Sequence, residues 1–232
     1  MKHYFRYSSS AYYSAIAALP LLVAYEILLA FTRTAQGNIR NAAEVWMRDF
    51  MLVFMDSPRN LSFVMIAAVL VAIPVFKSQS PHIPLKPSYF GIIFLESIVY
   101  SLFVGLILHT FLQRVLLQQI GSLSGGQLQN LALSLGAGLF EELFFRVLLL
   151  NALFWGLSKV LPNTLISGFI SIVAAAFLFS MSHYIGSLGE PFYVYSFVFR
   201  WSAGLLFTAL YFVRGFAVVA YTHAFYDIYV LV

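Results

Sequence analysis

Three short clusters of titratable side chains stand out because each sits inside a long apolar stretch. They are Glu141-Glu142-Leu143-Phe144-Phe145-Arg146, Phe179-Ser180-Met181-Ser182-His183 and His223-Ala224-Phe225-Tyr226-Asp227. An ionised group near a bilayer centre costs at least a few kcal/mol, so each needs a partner, a water-filled cavity or a task. Glu142 and Arg146, four apart on a helix, can pair and lower the cost of burying both. Glu141, rotated by about 100° from its neighbour, is then free to point elsewhere. One structural and one working carboxylate is the resulting reading, and a purely structural network is the alternative. His183 alone would be a packing residue at a helix end, and His223 with Asp227, stacked on one helical face, would be a hydrogen-bonded pair. Desolvation disfavours the charged form of a glutamate in an apolar cavity and fits it to take a proton from water, while an imidazole supplies a donor to a developing oxyanion.

The elements that position these groups follow from composition. With 61% hydrophobic and 9% charged residues and a mean hydropathy of +0.87, the chain is too apolar for a water-soluble domain. Apolar stretches fall near 12–31, 61–76, 89–117, 131–157, 164–184, 192–213 and 216–232. Each must be helical, because lipid offers the backbone no hydrogen-bond partner. The expected fold is all-α, a polytopic transmembrane bundle of about seven or eight helices forming a single membrane domain. Residues 1–120 would be N-terminal transmembrane helices with an amphipathic segment near 38–58, and 121–232 a catalytic core. In 38–58, Arg40, Glu44, Arg48, Asp49 and Asp56 alternate with Val45, Trp46, Phe50, Leu52 and Phe54. That pattern fits a helix lying in the membrane interface or packed on the bundle surface.

The absence of cysteine excludes disulfides, thiolate zinc sites and cysteine nucleophiles. The stretch 12–31 follows Lys2 and Arg6 like a signal peptide, but its length, Pro20 and Glu26 favour a retained span. Segments 77–87 and 121–129 are turn-rich connectors, not domain boundaries. No internal repeat of the kind seen in inverted-repeat transporters is present. The net charge of +4 is scattered, with no basic cluster to bind nucleic acid. Loop charge, with Lys2, Arg6, Lys77, Lys86, Lys159 and Arg214 set against Arg33, Arg40, Arg48, Arg59 and Arg114, favours a cytoplasmic N-terminus. Glu26, Glu96, His109 and Arg200 are further intramembrane polar residues expected mainly to hold helices together. Gly136 and Gly138 would allow close helix approach.

The order of the three clusters resembles the CAAX-protease and bacteriocin-processing family of intramembrane peptidases, also called the Abi family. Its motifs Glu-Glu-x-x-x-Arg, Phe-x-x-x-His and His-x-x-x-Asn or Asp stand here as Glu141-Glu142-x-x-x-Arg146, Phe179-x-x-x-His183 and His223-x-x-x-Asp227. The resemblance covers about 136–227 and implies a membrane endopeptidase. Carried over, it makes Glu141 the base that activates water, assisted by His183, and His223 the oxyanion donor. Glu142 and Arg146 would hold the helix. An ionised Asp227 only accepts hydrogen bonds, so orienting His223 is its expected task. Glu141, His183 and His223 would also suit a catalytic zinc with one open position, in which case Glu142 becomes the candidate base. Metal-free glutamate catalysis needs only the same side chains. The expected partners are the bilayer and a membrane-associated or lipid-modified peptide or protein, and the expected location is the cell membrane of a prokaryote. A non-catalytic membrane binding or immunity protein of the same fold, or an ion-coupled transporter, is the alternative.

Overall fold

The computed structural model describes residues 2–32, 39–53, 61–115, 126–186 and 189–232. Arg33, Phe54, Asp56, Arg59, residues 116–117, the first part of the 121–129 connector and the side chains of Lys2 and Arg114 lie outside the described residues. The elements are α1 (Lys2–Ser8), α2 (Ala11–Phe31), α3 (Ala42–Leu52), α4 (Leu61–Gln79), α5 (Ser88–Val115), α6 (Gln127–Gly136), a π-helical segment (Ala137–Leu149), α7 (Leu150–Val160), α8 (Thr164–Ser182) and α9 (Val194–Leu231). Among the described residues, all regular structure is helical. Helix starts follow ordinary capping: the side chains of Ser10, Asn41 and Asn163 accept backbone N–H groups of α2, α3 and α8.

Among the described residues, five helices are long and apolar enough to cross a membrane: α2, α4, α5, α8 and α9. Their outer faces expose Phe63, Leu70, Val71, Leu95, Leu102, Phe103 and Leu106. Such continuous apolar surface is unfavourable in water and natural in lipid. The chain is an integral membrane protein built as an all-α bundle.

Three of the seven expected stretches are organised differently. Stretch 131–157 is divided into α6, the π-helical segment and α7 and carries Glu141, Glu142 and Arg146. Stretches 192–213 and 216–232 are the two limbs of α9, broken at Gly215 with φ 77° and ψ −179°. The chain reverses there. The rings of Phe207 and His223 stack with centroids 4.4 Å apart, whereas a continuous helix would separate these positions by about 24 Å.

The second limb of α9 is the centre of the bundle. Phe216, Ala217, Val218, Val219, Ala220, Thr222, His223 and Ala224 are all buried, with α2, α5, α6, α8 and the π-helical segment in contact with α9. The reversal is tied from outside the bilayer-spanning helices by α1. Arg214 donates to Glu96 through Nε (2.5 Å) and Nη2 (2.8 Å) and to Ser8 Oγ at 3.0 Å. The Tyr4 hydroxyl donates to the same Glu96 carboxylate. Glu96 is therefore a structural anchor.

Gly215 is required twice over: its φ suits only glycine, and a Cβ would lie 2.8 Å from the Ser9 carbonyl oxygen. Replacing it with alanine is expected to destabilise the protein by about 1–3 kcal/mol, seen as a lower midpoint of thermal unfolding in detergent micelles. An unchanged midpoint would show that the limbs do not need this reversal.

Candidate active site

Close backbone approach comes first. A Cβ on Gly138 would collide with the Ala220 carbonyl oxygen and lie 2.7 Å from the Ala224 Cβ, and one on Gly136 would lie 2.6 Å from the Tyr25 ring. With hydrogen at Gly138, the π-helical segment lies directly against the second limb of α9, and hydrogen at Gly136 lets the end of α6 pass the Tyr25 ring of α2. Wide π turns occur often at functional sites. Here they present two consecutive carboxylates to one imidazole.

Glu142 is fully buried, and its Oε1 lies 2.6 Å from His223 Nδ1. Its Oε2 is 3.1 Å from Arg146 Nε, a charge contact without hydrogen-bond alignment. Arg146, equally buried, places its guanidinium carbon 4.5 Å from the centre of the Phe179 ring and donates from Nη2 to the Gly204 carbonyl at 3.4 Å. A charged arginine is thus held by one carboxylate and an aromatic face.

Glu141 approaches the other edge of the same ring. Its Oε2 is 3.9 Å from His223 Nε2, and Asp227 Oδ2 is 3.6 Å from that nitrogen. Its Oε1 accepts a 2.7 Å hydrogen bond from Asn41 Nδ2. Phe207 stacks on the His223 ring at an interplanar angle of 17°, and Phe179 meets it edge-on at 6.1 Å. Packing and Glu142 therefore fix the imidazole, leaving Nε2 as its working edge.

His183 closes α8, with Nδ1 2.9 Å from the Phe179 carbonyl oxygen. A carbonyl can only accept, so Nδ1 carries the proton and Nε2 of the neutral ring is an acceptor. Its own backbone carbonyl accepts the Glu190 N–H at 3.0 Å. Glu141 lies within electrostatic reach of both His183 and His223. The six residues singled out by spacing, Glu141, Glu142, Arg146, His183, His223 and Asp227, thus come from three separate elements to one place.

Residues 125–229 match the family model for type II CAAX prenyl endopeptidase Rce1-like proteins. This part of the chain belongs to the CAAX-protease family. No curated protein and no solved structure matches the chain. The CAAX-protease segment runs from just before α6 almost to the end of α9 and contains all six residues. It implies a membrane-embedded protease.

The remaining intramembrane polar residues lie in other contacts. Arg200 donates from Nη2 to both Glu190 carboxylate oxygens at 2.7 Å, Glu96 holds Arg214, and His109 is exposed on the outer face of α5. Glu26 pairs with Arg40 and Arg48. Two contributors were invisible in the residue pattern: Phe207, the stacking floor under His223, and Asn41, which reaches Glu141 from the amphipathic segment. For Asn41 the available signal was its place as a helix cap, which says nothing of a distant carboxylate. In the CAAX-protease segment, Glu142 binds His223 Nδ1, and Asp227 lies at the opposite edge, 3.6 Å from Nε2.

The donor types suit zinc, since both imidazoles have Nδ1 engaged and Nε2 turned away from that contact. Among the described residues, however, no three His, Asp or Glu side chains converge closely enough to share one ion.

The Glu142–Arg146 contact predicts a strongly non-additive mutant cycle. Arg146→Met leaves a buried carboxylate with less compensation and is expected to cost about 3–5 kcal/mol. Adding Glu142→Gln should recover a large part of that loss. Chemical denaturation in mixed micelles measures both, and additive effects would mean that the two charges are independent.

Proposed function

We propose that the protein is an intramembrane endopeptidase in which Glu141 activates water and His223 holds the oxyanion. The observation that carries this reading is the facing pair Glu141 Oε2 and His223 Nε2, 3.9 Å apart and each secured from behind, by Asn41 and Glu142 respectively. Neither atom is consumed by the other, so both are available to a substrate placed beside them.

Glu141 takes a proton from water as the oxygen attacks the peptide carbonyl carbon. The carbonyl oxygen becomes an oxyanion and accepts a hydrogen bond from Nε2–H of the His223 imidazolium, whose Nδ1–H is donated to Glu142. His183 Nε2 accepts the water's second hydrogen and aims its lone pair. Collapse breaks the C–N bond, and the proton held by Glu141 passes to the departing nitrogen, yielding a carboxylic acid and an amine. Asp227, beside Nε2, adds negative charge next to the imidazolium. For zinc to bind, the Glu141, His183 and His223 side chains would have to draw closer together than they stand.

The substrate class is a membrane-associated peptide, and the family description adds a prenylated carboxyl-terminal segment as the first candidate. A lipid-modified peptide is already concentrated in the phase that surrounds the apolar faces of the bundle. Loop charge orients the N-terminus towards the cytoplasm.

The test is cleavage of a prenylated and an unmodified membrane-peptide library by protein reconstituted in liposomes. Glu141→Gln should lower kcat by about 10²–10⁴-fold with thermal stability retained. Wild-type protein that cleaves nothing, or a Glu141→Gln variant of full activity, would end the proposal. Activity should also survive exhaustive chelation. Loss on chelation restored by zinc alone would instead assign the three donors to an ion.

A further inference from the structure

Asn41 lies outside residues 125–229 yet touches the carboxylate on which the proposed chemistry turns. Both ends of its side-chain amide are used. The carbonyl Oδ1 accepts the Ala43 backbone N–H at 2.9 Å, which caps α3, and Nδ2 donates to Glu141 Oε1 at 2.7 Å. Only one orientation of the amide serves both, because a backbone N–H needs an acceptor and a carboxylate needs a donor. The residue is nearly fully buried, so water does not compete for either bond. Its backbone N–H points to the Tyr25 hydroxyl at 3.4 Å.

The surroundings hold this residue in place to an extent that a surface helix would not need. Glu44, fully buried one turn into α3, receives the Tyr25 hydroxyl and the guanidinium groups of Arg40 and Arg48. Both arginines also reach Glu26 of α2, at 3.2 and 3.0 Å, and Arg48 donates to Ser62 Oγ of α4 at 2.8 Å. On the other flank Trp46 meets Phe144 of the π-helical segment edge-on at 5.7 Å. The start of α3 is therefore clamped to α2, α4 and the segment that carries Glu141.

We propose that Asn41 is a positioning residue of the active site. Its amide occupies one oxygen of Glu141 and fixes the carboxylate so that the other oxygen faces His223 Nε2, while the clamp on α3 sets where that amide stands. The inference rests on Glu141 being the working carboxylate.

Three variants separate positioning from capping. Asn41→Ser and Asn41→Asp keep a cap for α3, but serine is too short to reach Glu141 and aspartate has no donor and faces it with like charge. Asn41→Ala loses both functions. In the reconstituted peptidase, Asn41→Ser is expected to lower kcat about 10–100-fold with KM and thermal midpoint near wild type, and Asn41→Asp to lower it further. Wild-type kcat in both cap-keeping variants would overturn the proposal.

A second readout does not depend on cleavage. Infrared difference spectra of ¹³C-glutamate-labelled protein against Glu141→Gln isolate the Glu141 carboxylate stretch, which should shift in Asn41→Ser and not in Phe103→Leu, a change on the exposed outer face of α5. An unmoved band would also overturn the proposal. If wild-type protein cleaves nothing while the band shifts, the hydrogen bond stands and it is the peptidase reading that fails.

Discussion

One buried carboxylate organises this structure. Glu142 has no access to solvent, and its two oxygens face an imidazole on α9 and a guanidinium on its own helix. A carboxylate in that position is tolerable only if both neighbours stay where they are. Several otherwise separate features follow from that constraint: the absence of a side chain at Gly138, the π-helical turns around the glutamates, the stacking of Phe207 on His223 and of Arg146 on Phe179, and the reversal at Gly215. Each brings one of the three partners within reach or keeps it there. The outcome is that His223 is fixed through Nδ1, and its other nitrogen is presented to Glu141.

The residues that meet at the candidate site were conspicuous in the sequence because charge inside an apolar stretch is costly. Glu141, Glu142, Arg146, His183, His223 and Asp227 could be picked out on that ground, and their order matched a family pattern. The bundle of membrane helices was legible for the same reason. What spacing could not give was direction. A regular α-helix would send Glu141 and Glu142 to different neighbours, yet the π-helical turns bring both to one ring, and this local widening has no residue signature. Nor could spacing tell which ring nitrogen each carboxylate would find: Glu142 reaches Nδ1, and Asp227 stands 3.6 Å from Nε2.

The N-terminal half, which carried no motif, has two physical tasks. Helix α1 and Glu96 tie down the reversal of α9 by engaging Arg214 on the residue before Gly215. Helix α3, which reads as an interfacial amphipathic helix, directs its charged residues inward to Glu26 and Tyr25 as much as outward. Its alternation of charged and apolar residues therefore records an ion-paired contact with the bundle as well as a polar surface. In a low-dielectric setting such paired charges fix geometry even where their net contribution to stability is small. That precision suits a site whose working atoms stand on three different elements.

The central claim is that a peptide bond is processed between Glu141 and His223. The most direct measurement is the structure of the Glu141→Gln variant trapped with an uncleaved membrane peptide. The account predicts the scissile carbonyl oxygen about 3 Å from His223 Nε2, with the carbonyl carbon facing the residue-141 side chain across space for one water. A peptide bound with its backbone elsewhere, or with His223 Nε2 turned from the carbonyl, would contradict it.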